Sequence, residues 1–219
     1  MGGLFRIDGF LYRCINKMVD AVGLSLLWII TSLPVITLGA STAALYYTTH
    51  TVIRYDRGRI WPEYWKSFLG NFRQATSPWL LLMALAYILG LNGYSAYLIC
   101  ASGNGSPWIL LAVLAPVVLV MMWAVYLFPL IARFHNTTRQ TMKNCLLIAI
   151  RNLPWTILLV CMLLGSVMLV FIVPFAFAYI PVAYMLLSGS ILERIFQKYM
   201  SPEDLAMEQE RNKEDNYNG

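Results

Sequence analysis

Charge is what this sequence has least of. Of its 219 residues, 12% are Asp, Glu, Lys or Arg, where a soluble domain carries roughly a quarter. No charged residue lies between Asp20 and Arg54, between Arg73 and Arg133, or between Arg151 and Glu193. An apolar helix needs ~20 residues to cross the hydrocarbon core of a bilayer, and each run is longer than that. The runs do not alternate apolar with polar residues, which excludes a transmembrane β-barrel. The fold class expected is therefore all-α, a polytopic membrane helix bundle.

Other absences narrow the chemistry. The four cysteines, Cys14, Cys100, Cys145 and Cys161, are scattered without C-x-x-C spacing, so they form neither a disulfide framework nor a metal site by pattern. They read as small apolar residues packed in or near helices. There is no G-x-x-x-x-G-K-[ST], which excludes an ATPase working by itself. There is no G-x-S-x-G, and no histidine at a depth to serve the span serines as a base. Ion-coupled transporters place an ionisable group inside the bilayer, and none falls near the centre of an expected span. His50 and His135 sit near the cytoplasmic ends of spans and read as interfacial residues. No acid or cysteine at useful spacing joins them as a metal ligand. The sequence thus assigns no catalytic, cofactor-binding or metal-binding residue, and a non-enzymatic protein is expected. The N-terminus has no short apolar region followed by a cleavage site, so it is expected to remain on the protein.

What is present is a stretch that interrupts the first run, L-P-V-I-T-L-G-A-S-T from Leu33 to Thr42. Pro34 cannot donate a backbone hydrogen bond and biases Leu33 away from helix. Gly39 permits a sharp turn. Ala40, Ser41, Ala43 and Ala44 allow close helix contact beyond it. Either one kinked span runs through residues 21–53, or a hairpin has its tip at residues 34–39. The bases choose between them. Three precede residue 21, five lie within Arg54–Arg73, four within Arg133–Arg151 and four follow Glu193, which accounts for all sixteen. The hairpin puts every one on a single side, as the positive-inside rule favours. Bases that flank spans answer to orientation and lipid headgroups rather than to nucleic acid.

The layout expected is one membrane domain over residues 1–200. It has six spans, near 10–33, 40–55, 78–101, 107–132, 154–173 and 175–195, with both termini cytoplasmic. A re-entrant hairpin that does not fully emerge fits the same charges. Trp61, Trp65, Phe68, Leu69 and Phe72 recur at helical spacing, as do Met142, Cys145, Leu146, Ala149 and Ile150. Both sets predict amphipathic helices lying along the inner interface. Asn92, the one amide well inside a span, reads as a helix-packing contact. Pro116, Pro129, Pro174 and Pro181 interrupt spans or their ends, as broken helices do around some transporter sites. Residues 201–219 form an acidic tail whose S-P-E-D start suits a helix N-terminus, with a polar, disordered end.

The first third of the chain resembles the YesL family of bacterial integral membrane proteins. The resemblance rests on I-N-K-M-V-D at Ile15–Asp20, L-L-W at Leu26–Trp28, L-P-V-I-T-L-G-A-S at Leu33–Ser41, A-L-Y at Ala44–Tyr46 and F-L-G-N-F-R-Q-A at Phe68–Ala75. Pro34, Thr37 and Gly39 fall on the family's turn, and Phe68, Asn71 and Phe72 on its aromatic segment. The resemblance implies a bacterial cell membrane and an accessory role beside a carbohydrate ABC-type importer. It implies permease or ATPase subunits as partners, and no catalytic residues. Trp61, Trp65, Phe68 and Phe72 are the candidate partner-facing side chains. Besides the lipid bilayer and such subunits, a second copy of the chain is an admissible partner. The alternatives are a channel or transporter for a neutral solute, and a structural or regulatory membrane module.

Overall fold

A computed structural model of the chain describes residues 4–55, 57–102, 106–134 and 137–200. His135 and the acidic tail lie outside the described residues. Seven α-helices are present among those described: α1 (Leu4–Ser32), α2 (Leu38–Thr48), α3 (Ile60–Ala101), α4 (Pro107–Arg133), α5 (Thr138–Arg151), α6 (Leu153–Ile172) and α7 (Ile180–Gln197).

The interruption at Pro34 is a helical hairpin. α1 stops at Ser32, and a short 3-10 turn, Val35–Thr37, leads into α2. The Thr37 hydroxyl holds the turn, within hydrogen-bonding reach of the Thr31 carbonyl at 2.5 Å and the Pro34 carbonyl at 2.7 Å. The last turn of α1 leaves carbonyls without helical partners, and Thr37 supplies one. Ser32 and Ser41 join hydroxyls across the hairpin at 2.7 Å, and the Trp28 indole donates to Thr42 at 3.3 Å.

α2 is the most enclosed helix of the bundle. Gly39, Ala40, Ser41, Ala43, Ala44, Leu45, Tyr46 and Thr48 are all buried, and α1, α3, α4 and α7 pack around it. Its small residues let those neighbours approach. After Thr48 the coil widens into a π-helix, Thr49–Arg54, a form that concentrates at functional sites.

α3 differs from expectation. It is continuous over 42 residues and carries Pro78 inside it, so the first predicted amphipathic helix is its opening half rather than a separate interfacial element. That half buries Tyr64, Ser67, Phe68 and Ala75. The second expected helix does stand alone as α5, burying Thr141, Cys145, Ile148 and Ala149. At ~1.5 Å per residue, α3 is ~63 Å long, about twice a hydrocarbon core. The hairpin tip meets it partway along. The Trp79 indole donates to the Val35 carbonyl at 2.6 Å, and Gly39 lies against Ala75 and Trp79. Residues 80–101 follow that contact, a further ~33 Å of helix.

Three helices are long and apolar enough to cross a membrane among the described residues, at Ile60–Ala101, Leu111–Arg133 and Leu153–Ile172. Six were expected. The shortfall has physical causes. α2 has 11 residues, only ~17 Å. The uncharged part of α1 is limited to residues 21–32. α7 has 18 residues, with Glu193 and Arg194 in its final turns. Pro116 and Pro129 sit inside an unbroken α4, whereas Pro174 does end a helix, opening the 3-10 turn between α6 and α7. The outward faces of α3, α4 and α6 are apolar, with Leu80, Tyr87, Leu91, Leu114 and Met168 exposed. Helices whose backbone groups are paired internally can present such faces to lipid.

Candidate functional site: a buried glutamate where three uncharged runs end

Arg54, Arg133 and Glu193 each close one of the uncharged runs in the sequence. The fold brings these three run ends together. Glu193, with 7% of its side chain exposed, places one carboxylate oxygen 3.2 Å from Arg133 Nη2. The other oxygen accepts a hydrogen bond from the Tyr46 hydroxyl at 2.9 Å and lies 3.2 Å from His50 Nε2. The His50 ring stacks on Tyr46 and meets Tyr55 edge-on at 4.9 Å. Arg54 donates to the Ser190 hydroxyl at 3.2 Å. The guanidiniums of Arg54 and Arg57 lie over the Tyr55 ring at 5.7 and 5.0 Å.

Three elements build this cluster. α2 and its π-helical extension supply Tyr46, His50 and Arg54. The last turn of α4 supplies Arg133, and one face of α7 supplies Ser190 and Glu193. The π turn matters because it changes the helical phase at His50 and Arg54. Thr49–Arg54 lies outside the three long apolar helices. There, burial first and then Arg133, Arg54 and Arg57 hold His50 down at about 3. Burial and the guanidiniums thus both favour the neutral imidazole of His50, and the Glu193 carboxyl is the acidic group that faces Arg133. A buried carboxylate is tolerated only when it is paired and hydrogen-bonded, and Tyr46 and Arg133 meet that requirement. The arrangement fastens α2, α4 and α7 to one another. Among the described residues no group of three His, Cys, Asp or Glu side chains is placed to hold a metal ion.

The residues singled out from sequence lie elsewhere. Pro34, Thr37 and Gly39 form the hairpin apex. Phe68 is 7% exposed, stacked on Tyr64 and edge-on to Trp65 at 5.5 Å. Phe72 is half-buried and edge-on to Phe68. The Asn71 amide turns back onto its own helix, donating to the Ser67 carbonyl at 3.0 Å. Trp61 and Trp65 are exposed, by 64% and 40%. Asn92 is exposed and donates to the Ile88 carbonyl at 2.8 Å. Cys145 is buried on α5, and burial pushes its thiol up to about 12. The Glu193 cluster was missed in the sequence. The available signal was that a lone acid in S-G-S-I-L-E-R-I-F and a lone histidine in T-T-H-T border apolar stretches on different helices.

The fold and the apolar helix surfaces together define a helical membrane protein. A family model described as "Protein of unknown function, DUF624" matches residues 21–93, from the uncharged part of α1 through the hairpin and α2 to the upper part of α3. No curated protein and no solved structure matches the chain.

Proposed function

We propose that the chain is a non-enzymatic integral membrane protein of the bacterial cell membrane that acts by holding partners, as an accessory of a carbohydrate ABC-type importer. The observation that carries the holding role is on the opening half of α3. There Trp61, Trp65 and Leu69 are exposed by 64%, 40% and 67%. Exposed aromatic side chains grouped on one face mark interaction sites. Phe68 and Phe72 support that face from beneath. The assignment of the partner rests on the resemblance to the YesL family. In this reading both termini are cytoplasmic, the hairpin enters the bilayer from the cytoplasmic side without emerging, and α7 (Ile180–Gln197) makes the fourth crossing, returning the chain after α3, α4 and α6. The sixteen bases then remain on one side.

Tagged protein purified in detergent is expected to recover importer permease or ATPase subunits, and the double variant Trp61→Ala, Trp65→Ala is expected to lose them. Repeated recovery of the chain alone would count against the reading. Conduction of a neutral solute is the rival reading. The unbroken course of α4 through both its prolines gives it little support.

A further inference from the structure

An apolar cavity of about 370 Å³ lies among α1, α2, α3, α4, α6 and α7, and none of the glutamate cluster's side chains lines it. It falls within the size range of small-molecule sites. α3, α4 and α6, the three helices long and apolar enough to span a membrane, all contribute to its wall.

The wall is short of free polar groups. The hydroxyls of Thr42, Ser166 and Ser188 turn back onto carbonyls of their own helices at 2.7, 2.7 and 2.6 Å. The Trp28 and Trp79 indoles donate to Thr42 and to the Val35 carbonyl. The Tyr184 phenol is the remaining polar side chain on the wall. A sugar or an ion would leave its own polar groups unpaired here, at a cost of several kcal/mol (~2–7 for each lone hydroxyl). An apolar void of this size stays dry and takes apolar ligands. The cavity also reaches the surface in an apolar region. Val167 and Phe177 line it and are themselves exposed by 48% and 42%, and near them Phe171 and Phe175 are exposed by 82% and 91%. The medium at such a surface is hydrocarbon rather than water.

We infer that the cavity holds an acyl chain of a bilayer lipid, inserted between α6 and α7 and packed against Trp28, Trp79 and Met185. The inference is independent of the importer reading. It makes the bundle's interior a lipid-filled one, with the chain supplying the contacts that side chains leave unmade.

The test uses the full-length protein in phosphatidylcholine vesicles doped with phosphatidylcholine bearing a diazirine at the end of one acyl chain. After irradiation, adducts are mapped by peptide mass spectrometry. Adducts are expected on the buried wall residues Met185 and Leu192 as well as on the exposed Phe171 and Phe175. Filling the cavity with Ala124→Phe, or separately with Ser166→Phe, is expected to bring the buried adducts to near background and leave those on Phe171 and Phe175 unchanged. The unchanged surface adducts report that each variant is folded. Wild-type adducts confined to Phe171 and Phe175, or buried adducts that persist undiminished in both variants, would overturn the inference.

Discussion

At the scale of the residue, Gly39 is used in the fold for a different reason from the one its sequence context suggests. Its place in L-P-V-I-T-L-G marks a turn in the sequence, and glycine is the usual residue where backbone freedom is needed. In the fold it is helical and buried at the start of α2. What it lacks is used instead. A Cβ there would lie 2.7 Å from the Trp79 Cβ and 2.8 Å from the Ala75 carbonyl oxygen. Neither can withdraw without moving α3. Gly39→Ala is expected to lower stability by ~1–3 kcal/mol, the usual cost of overpacking, read as a fall in melting temperature in detergent. Gly90→Ala is the matching control. A Cβ at Gly90 meets nothing within 4 Å, and mid-helix alanine is favoured over glycine by ~0.5–1 kcal/mol, so that variant should melt at or above the wild type. Thr37 shows the opposite relation. It is legible as part of a motif, and its action as a cap on the end of α1 arises only when the hairpin folds.

At the scale of the element, helices were legible and their junctions were not. Uncharged runs and 3.6-residue spacing mark where helix exists. They do not say whether an amphipathic stretch packs on lipid or on protein. In the opening half of α3, the sequence pattern gathers Trp61, Trp65, Phe68, Leu69 and Phe72. The buried face is offset from it, running through Tyr64, Ser67, Phe68 and Ala75. The bulkiest residues are therefore not the most buried, and Pro78 reads as a boundary although the helix passes through it. The same limit hid the Glu193 cluster, since its members come from helices far apart in sequence. Tyr46 and Glu193 are 147 residues apart. Glu193→Gln is expected to uncouple α7 from α2 and α4 at that end. It leaves Arg133 without its carboxylate, and breaking a buried pair from one side costs ~3–5 kcal/mol. Hydrogen exchange should rise in residues 185–197 and 46–54 together. A rise confined to α7 would mean that the cluster does not couple the elements.

At the scale of the whole molecule, the grouping of the sixteen bases into four segments is legible in the sequence, and the proposed topology puts all four on one side. How far the first hairpin reaches was not, because a full crossing and a re-entrant one give the same charge tally. The contact of Val35 and Gly39 with Ala75 and Trp79 bears on that question. It sets the apex where the uncharged stretch of α3 is beginning, with residues 80–101 still to come. On the proposed topology, α2, the centre of the bundle, belongs to the cytoplasmic part of the membrane domain.

The measurement that tests this layout most directly is labelling of intact cells with a membrane-impermeant thiol reagent. Single cysteines would be placed by Asn104→Cys, Ile36→Cys and Arg57→Cys in a background lacking the four native cysteines. The layout predicts rapid labelling from outside for the Asn104 variant and none for the other two. Labelling of the Ile36 variant at a comparable rate would mean that the hairpin crosses the membrane. Labelling of the Arg57 variant would mean that the orientation is reversed, and either result would contradict the account.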